Sequence, residues 1–517
     1  MKRLSKLLSS TVFHLVLIYL VEIVLTILLL LHVNGYLLKQ YYWMENIFLG
    51  LKVLTAIMFV YVLLYEQMDY AYRINWIILF FISPTFGGLL FFICAHQRPF
   101  PKKWRKSYRR GKMYKNDLHF KESKKSKQNR LTLQNENPNI ARTASYIAEN
   151  IGTSLYNETY TRFFSTGESA WDEIINVLSN AKHYILIEFY IISEGILWEK
   201  VKNVLLQKAN EGVIVKVLYD DMGSIGRVSI KTIKELKKNG IDIIPFNKVK
   251  LHVDYSLNFR NHRKIVVIDG EVGFTGGINL ADEYININSP YGHWFDTAVE
   301  IKGKAVDDAI KVFTQDWDFA GGKRFCLPPY EGKDCKDANG YSEFYIAAPF
   351  DDIPVARNIF LSMLGNAKRY FYISTPYVAL DETTLQSLII AAKSGVDVRI
   401  VVPGVPDKKI VYTITQSYFQ TLINNGIKVY TYTPGFLHAK LLLSDDAVAT
   451  VGSVNIDYRS FYLNFECGVA LYNTESLVEI KNTFNTLFEK SSQLKEFKKT
   501  LWFRIKHFAI RFITPLC

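Results

Sequence analysis

Three long apolar runs occupy the start of the chain, at Thr11–Val33, Ile47–Tyr65 and Ile74–Ala95. Apolar runs of about 20 residues are typical of helices that cross a bilayer. No cleavage site made of small residues follows the first run promptly, which favours a retained anchor over a removed signal peptide. The pattern predicts a membrane anchor over residues 1–96 with two to three transmembrane helices.

The next segment, residues 97–145, is polar and rich in lysine, and its weak apolar periodicity predicts a basic linker. Within it, Gln97–Arg130 holds 14 Lys and Arg residues against two acidic ones. The rest of the chain is close to neutral, with 48 basic against 47 acidic residues, so one segment supplies most of the net charge of +13. A concentrated basic run beside apolar spans suits anionic lipid headgroups. A solvated tail without a partner is the alternative.

The same charges bear on topology. Three spans would place the two ends of the anchor on opposite sides of a membrane, yet both flanks are basic. The 14 basic residues after the third run outnumber the three before the first, which favours a cytoplasmic location for the remaining chain. We therefore expect a multi-pass protein of the cell membrane with the rest of the chain in the cytoplasm. An interfacial or re-entrant segment among the three runs would remove the conflict.

From about Tyr146 the pattern changes to helices alternating with buried strands, and the alternation is repeated. The matching stretches are 180–191 with 366–378, 209–221 with 392–404, and 238–246 with 424–432. Helix, glycine turn and strand in this order predict an α/β fold with mostly parallel sheets.

The repeat divides the rest of the chain into two similar lobes. We expect a first lobe at 146–325, a connection rich in proline and glycine at 326–340, and a second lobe at 341–517. The second lobe ends in a basic aromatic stretch, Phe497–Ile513. That stretch suits a membrane interface or an ordinary packing helix equally well.

Each predicted lobe contains one copy of a short polar pattern. The copies are His262, Lys264, Asp269 and Asn279 in the first lobe, and His438, Lys440, Asp445 and Asn455 in the second. Histidine and lysine two positions apart on a strand point to the same face. A single copy could be a core histidine beside a surface lysine. Two copies with matching internal spacing indicate a composite site.

The duplicated pattern resembles the signature of the phospholipase D superfamily. The second copy continues through a further set that resembles the bacterial cardiolipin synthase branch, namely Asp457, Arg459, Ser460, Asn464 and Glu466. The resemblance extends from about Tyr146 to the C-terminus and implies two pseudo-repeated phospholipase D-like lobes. One position departs from the branch, because Phe295 stands where the branch usually has an arginine.

The resemblance also implies roles for the site residues. The first histidine, His262, would attack phosphorus, and His438 would protonate the leaving alcohol. Lys264, Lys440, Asn279 and Asn455 would hold the phosphoryl oxygens, and Asp296 and Glu466 would orient the histidines. Asp269 and Asp445 belong to the signatures and are expected to fix loop and strand geometry. Since lysines can supply the positive charge, neither a metal nor a cofactor is expected.

The function implied is phosphatidyl transfer between two phosphatidylglycerol molecules, giving cardiolipin and glycerol. Phosphatidylglycerol and other anionic membrane lipids are the expected partners. A hydrolytic phospholipase D and a catalytically inactive membrane scaffold of the same fold are the alternatives. A nuclease of this fold is disfavoured by the apolar runs and the near-neutral body, and no nucleic-acid partner is expected.

Overall fold

The computed structural model describes residues 24, 27, 42–64, 70–82, 87, 91, 122–249, 258–323, 325–328, 335, 337–351 and 353–497. Most of the first apolar run, residues 97–121 of the basic segment and nearly all of the C-terminal aromatic stretch lie outside this set. The chain divides into two compact units, one formed by 1–106 with 249–258 and the other by 107–248 with 259–517.

The described part of the first unit contains helices α1 (Tyr42–Leu64) and α2 (Tyr70–Ile82). A small apolar cluster joins them, with Val62 and Phe80 almost fully buried. Within the described residues, none of the helices combines the length and apolar character needed to cross a bilayer.

The described part of the second unit begins with two helices, α3 (Lys124–Glu136) and α4 (Pro138–Asn150), where a polar linker was expected. The Ser123 side chain caps α3, and Asn137 caps α4 with proline at its first turn. The apolar face of α4 is buried, and Thr143 is hydrogen-bonded to Ser362 of the second lobe at 2.9 Å. The described part of the predicted linker is therefore folded, because capping and a short apolar face outweigh its polar composition.

The first lobe contains a seven-stranded sheet ordered β1-β9-β7-β6-β2-β3-β4. Its strands are β1 (Thr159–Phe164), β2 (Tyr184–Phe189), β3 (Ile214–Asp220), β4 (Asp242–Phe246), β5 (Arg260–Asn261), β6 (Ile265–Ile268), β7 (Val272–Gly276), β8 (His293–Phe295) and β9 (Ala298–Gly303). Its helices are α5 (Gly167–Ser179), α6 (Ile196–Asn210), α7 (Ile230–Lys238) and α8 (Val306–Phe319), with a 3-10 turn at Asp282–Ile285.

The second lobe contains a sheet ordered β10-β19-β17-β16-β11-β13-β14-β20. Its strands are β10 (Tyr341–Ala347), β11 (Tyr370–Ser374), β12 (Val378–Ala379), β13 (Asp397–Pro403), β14 (Lys428–Tyr432), β15 (Gly435–Leu437), β16 (Leu441–Ser444), β17 (Val448–Gly452), β18 (Ile456–Asp457), β19 (Asn464–Tyr472) and β20 (Ser491–Leu494). Its helices are α9 (Val355–Asn366), α10 (Glu382–Lys393), α11 (Lys409–Asn424), α12 (Tyr458–Tyr462) and α13 (Ser476–Glu489).

Both large sheets are mixed, so the prediction of mostly parallel sheets is wrong. In the first lobe β2, β3 and β4 are parallel, whereas β6, β7, β9 and β1 are antiparallel to their neighbours. The second lobe repeats this arrangement with β11, β13 and β14. The connection from β6 to β7 is too short for the crossover that a parallel pair needs, and it forms a hairpin instead.

The hairpin turns explain why the aspartates belong to the signatures. Asp269 and Gly270 have φ values of 54° and 72°, and Asp445 and Asp446 have 55° and 60°. Positive φ at both central positions is the mark of a type I′ turn, which favours Asp and Gly and matches the twist of the strands. Each signature strand is thereby turned back at once, which carries the following Gly-rich segment to the same end of the sheet as the histidine.

Candidate active site

Two short parallel strand pairs join the lobes directly beside the signature histidines. β5 of the first lobe pairs with the start of β19, and the His262 N–H donates to the Phe465 carbonyl at 2.9 Å. β8 pairs with β15 in the same way, and the His438 N–H donates to the Phe295 carbonyl at 2.7 Å. Each histidine is thus fixed by backbone pairing with the opposite lobe. Phe295 contributes its carbonyl to the site, which any residue at that position would supply.

The acids next to these paired residues, Glu466 in β19 and Asp296 just after β8, bind the histidines of the opposite lobe. A Glu466 carboxylate oxygen lies 2.9 Å from Nδ1 of His262, and an Asp296 oxygen lies 2.6 Å from Nδ1 of His438. Both acids are fully buried. Because a carboxylate binds Nδ1 in each case, Nε2 is the nitrogen left for chemistry. The sequence indicated both acids, but the exchange between lobes was not predicted.

The two lysines lie against their own histidines. Lys264 Nζ donates to the His262 carbonyl at 2.5 Å, and Lys440 Nζ donates to the His438 carbonyl. Lys440 Nζ also lies 2.8 Å from His438 Nδ1. That nitrogen cannot donate to Asp296 and accept from Lys440 at once, and an ionised carboxylate can only accept. We therefore assign the Nδ1 proton to the bond with Asp296.

Burial of several cationic groups together controls the protonation of the site. Burial lowers the pKa of Lys264 to about 8 and of Lys440 to about 7, although Glu466 and Asp296 respectively oppose the shift. Burial also lowers the pKa of His262 to about 4, and burial with the charges of Lys440 and Lys264 lowers that of His438 well below its usual value. Crowded cations of this kind gain stability when an anion enters, so the site is suited to a phosphate group.

The two acids respond differently to the same surroundings. Burial raises the pKa of Asp296 to about 6, although Lys440 opposes the shift. Burial alone would raise the pKa of Glu466 too, but His262 and Lys264 hold it below its usual value. At neutral pH both carboxylates are ionised and both imidazoles are neutral. Within the part of the chain that the structure describes, no three His, Cys, Asp or Glu side chains cluster as metal ligands.

Comparison with known proteins identifies the family. Residues 174–317 and 360–488 match the family described as cardiolipin synthase, phospholipase D-like domain. The chain belongs to this family. Its matched segments contain both signatures and both exchanged acids, and they lie in the two lobes of the fold.

Several relatives of this cardiolipin synthase family member cover most of the chain. A cardiolipin synthase of Halalkalibacterium halodurans is 33% identical over 95% of this chain and 99% of its own length. Cardiolipin synthase 2 of Bacillus cereus is 36% identical over 72% of this chain and 73% of its own. An uncharacterized protein of Streptococcus mutans is 40% identical over 68% of this chain and 76% of its own. Among solved structures, a phosphatidylserine synthase of Haemophilus influenzae has the same fold, with a TM-score of 0.52 at 14% identity, covering 69% of this chain and 93% of its own.

The signature aspartates of this family member do not reach the histidines. The Asp269 carboxylate accepts three backbone N–H groups, from Lys182 at 2.7 Å, His183 at 2.7 Å and Tyr184 at 2.8 Å. Asp445 accepts three corresponding N–H groups from residues 368–370. Each aspartate ties its hairpin turn to the start of the neighbouring strand, which agrees with the structural role expected of both.

The signature asparagines lie buried, and the side-chain amide of Asn279 already contacts protein groups. Asn279 donates from Nδ2 to the Tyr284 hydroxyl at 2.6 Å and accepts the Ile191 N–H at 3.1 Å. The Asn455 backbone N–H donates to the Ser460 hydroxyl at 3.1 Å, while its Oδ1 atom is buried and unpaired. Their predicted part in phosphate binding stays a prediction.

Aromatic rings from outside the two signatures enclose the histidines. The Tyr190 ring centroid lies 5.1 Å from that of His262, and those of Tyr284 and Trp294 each lie 5.4 Å from His438. These rings help to exclude water from the imidazoles. A signal for Tyr190 was present, because it is the last residue but one of the repeated stretch 180–191, and Tyr377 is the last but one of the partner stretch 366–378.

Proposed function

We propose that this protein is a cardiolipin synthase that transfers a phosphatidyl group from one phosphatidylglycerol molecule to another and releases glycerol. The observation that carries the proposal is the pair of neutral imidazoles, His262 and His438, each bound at Nδ1 by a buried carboxylate and flanked by a lysine. One imidazole can attack while the other handles the proton of the alcohol, and the lysines can stabilise the phosphoryl oxygens.

In the first step, Nε2 of His262 attacks phosphorus as the bond from phosphorus to the glycerol oxygen breaks. His438 donates its Nε2 proton to that oxygen, so free glycerol leaves and a phosphatidyl group remains on His262. In the second step, His438 takes the hydroxyl proton of a second phosphatidylglycerol. The resulting oxygen attacks phosphorus, the bond to His262 breaks, and cardiolipin forms.

The acid role requires a protonated His438, although its imidazole is neutral in the ligand-free site. Its low pKa has two causes, burial and the neighbouring cations. A bound phosphodiester brings a negative charge that offsets Lys264 and Lys440, and this raises the pKa of the imidazole. The substrate therefore promotes the protonation that its own cleavage needs.

The location we propose is the cell membrane, with the apolar runs of residues 1–96 as a multi-pass anchor and the catalytic lobes in the cytoplasm. Support comes from the apolar pattern and from the basic residues that follow it. Such an anchor would hold the site beside phosphatidylglycerol and other anionic lipids. A lipid acceptor concentrated there competes well with water for the phosphohistidine.

The decisive experiment incubates the purified full chain with phosphatidylglycerol carrying a labelled headgroup and labelled acyl chains, in mixed micelles. Cardiolipin and free glycerol in equal amounts are expected. Phosphatidic acid as the main lipid product would instead identify a hydrolase with water as acceptor. Unchanged phosphatidylglycerol, with the fold verified by circular dichroism, would identify a scaffold without activity.

A further inference from the structure

Two loops that correspond in the internal repeat border the active site. The first, residues 221–229, connects β3 with α7, and the second, residues 404–408, connects β13 with α11. They follow the matched stretches 209–221 and 392–404. We call residues 221–230 and 404–410, which include the first residues of the two helices, the rim loops.

The first rim loop adjoins His262. The N–H groups of Met222 and Gly223 donate to Asp220 at 2.9 and 3.0 Å, and the same carboxylate accepts the N–H of Asn261, the residue before His262. Ser224 donates to the carbonyl of Tyr190, whose ring packs on His262. The loop is therefore only one layer of side chains away from the imidazole.

The second rim loop adjoins His438 in the same manner. The Val405 N–H donates to the carbonyl of Gly435 at 3.2 Å, in the strand that leads to His438. Asp407 accepts the hydroxyl of Tyr377 at 2.6 Å. The charge of Lys408 contributes to the lowered pKa of His438, after burial and nearer cations, which places its ammonium within electrostatic reach of the imidazole.

Both rim loops expose large aliphatic side chains to solvent. Ile225 is 62% exposed and Ile230 is 73% exposed in the first, and Ile410 is 59% exposed in the second. Exposed cations accompany them, namely Arg227, Lys231, Lys408 and Lys409. Single exposed aliphatic residues are common on protein surfaces, but here they recur on two corresponding loops, each adjoining one histidine of the same site.

We propose that the rim loops form a docking surface for an anionic lipid bilayer, with Ile225, Ile230 and Ile410 entering its interfacial region. This proposal rests on the proposed function, because it assigns the active-site mouth to the surface from which a lipid substrate comes. The aliphatic side chains would lose water contact in the interface, while the neighbouring cations would meet lipid phosphates. With the rim loops on the bilayer, the headgroup of a lipid can reach the histidines while the acyl chains of that lipid stay in the bilayer.

The test compares two physical forms of one substrate, phosphatidylglycerol vesicles and short-chain phosphatidylglycerol dispersed below its critical micelle concentration. The test variant of the full chain is Ile225→Ser/Ile230→Ser/Ile410→Ser. The control is Ile390→Ser, since Ile390 is 64% exposed near the C-terminal end of α10. We expect the triple variant to lose at least about tenfold in rate on vesicles and to keep its rate on dispersed substrate. The control should keep both rates.

A loss of similar size on both substrates, or no loss on vesicles, would overturn the docking surface. A second measurement separates this from failure of the proposed function. Hydrogen exchange of the wild-type chain is compared in nanodiscs of phosphatidylglycerol and of phosphatidylcholine. Slower exchange of residues 221–230 and 404–410 in the anionic discs supports docking even if cardiolipin is never formed. Equal exchange in both discs refutes it even if the enzyme is active.

Discussion

The two histidines differ in the acid that holds them, and this difference parallels the separate roles proposed for them. Glu466 keeps a low pKa beside His262, whereas Asp296 has its pKa raised to about 6 beside His438. A carboxylate with a higher pKa is a stronger base, and it therefore stabilises a protonated imidazole more. The assignment of His262 as nucleophile and His438 as acid and base agrees with this.

Replacing either histidine should remove activity, because nucleophile and acid act as one unit. We expect His262→Ala and His438→Ala each to lower kcat by at least about 10³-fold, and the double variant to be no slower than either. Mass spectrometry should then find a phosphatidyl adduct in only one variant.

The adduct is best sought with a phosphatidyl ester of p-nitrophenol, whose leaving group needs no acid. His438→Ala should release p-nitrophenol once and retain the lipid on His262, whereas His262→Ala should release none. An adduct on His438 would reverse the two roles. Thermal unfolding midpoints close to that of the wild type control for misfolding.

The pH dependence of kcat/KM should be bell-shaped, with its maximum between about 6 and 7. Asp296 has a raised pKa of about 6, so its carboxylate becomes protonated as the pH falls through that value and no longer offers the Nδ1–H of His438 a charged acceptor. Lys440 has a lowered pKa of about 7, so it loses its charge as the pH rises through that value. Lys440→Arg should shift the alkaline limb upward, since a guanidinium stays protonated. A flat profile between pH 5 and 9 would contradict both assignments.

Chelation should leave turnover intact if Lys264 and Lys440 supply the charge that stabilises the phosphoryl oxygens. We expect the rate in excess EDTA to lie within about twofold of the untreated rate, because no step of the proposed mechanism uses a metal. The measurement is the initial rate in micelles before and after EDTA, followed by addition of Mg²⁺. Complete loss that Mg²⁺ reverses would disprove the lysine-based mechanism.

The turns that follow the signature hairpins bring backbone unusually close to the exchanged acids. A Cβ atom on Gly277 would lie 2.0 Å from an oxygen of Asp296. The second lobe has Ser453 at the equivalent position, and its hydroxyl donates to Glu466. The longer glutamate is thus held by a side chain, whereas the shorter aspartate lies directly against the glycine.

Gly277→Ala should therefore displace Asp296 and lower kcat/KM by about 10²-fold, the cost of a misplacement of about 1 Å in a catalytic group. Gly365→Ala is the matched control, because a Cβ there has no heavy atom within 4 Å and the residue lies inside α9. The control should keep its activity and gain about 0.5–1 kcal/mol in the free energy of unfolding. Wild-type activity of Gly277→Ala would show that the position of Asp296 does not matter.

Much of the catalytic unit could be predicted from the sequence, because a pattern that occurs twice with the same spacing is more informative than a single copy. The matched stretches predicted two α/β lobes, the paired signatures predicted the histidines and lysines of the site, and the family resemblance pointed to Asp296 and Glu466. The Asp269–Gly270 pair is itself a hairpin signal, and it indicates that the strands on either side of it are antiparallel. The capping residues Ser123 and Asn137 are likewise visible in the segment whose polarity and weak apolar periodicity predicted a linker.

The exchange of acids between lobes could not be predicted in this way. It depends on the short strand pairs β5–β19 and β8–β15, whose partners are far apart in the chain. Strand segments of two or three residues carry too little pattern to be recognised, and their pairing is set by how the lobes pack. Local periodicity contains no information about that packing.

The basic segment before the catalytic unit should help the protein to bind the anionic surface that carries its substrate. Four basic residues of this segment lie in the folded helix α3, namely Lys124, Lys125, Lys127 and Arg130. Arg130 is also paired with Glu122 at 2.7 Å. We therefore take the other basic residues of Gln97–Arg130 as the candidates for lipid contact. Each could contribute about 1 kcal/mol near an anionic surface, within a Debye length of about 8–10 Å.

Replacing six of these residues by glutamine should raise the apparent KM for anionic micelles and leave kcat nearly unchanged. The six are Lys102, Lys103, Arg105, Lys106, Arg109 and Arg110. Lys237→Gln/Lys238→Gln, at the exposed end of α7, serves as the charge control and should change neither constant. An unchanged KM in the sixfold variant would leave the segment as a solvated linker.

The exchanged acids also bear on how this chain tolerates mutation. A duplicated element ordinarily provides a spare, so that damage to one copy is masked by the other. Here Glu466 serves His262 and Asp296 serves His438, so neither copy has a complete set of working parts. If the proposed mechanism holds, a substitution at any one of these four residues should abolish activity, and the duplication gives the chain no redundancy there. The two lobes can diverge in sequence elsewhere, but a change at any of these four residues in one lobe affects a residue of the other lobe.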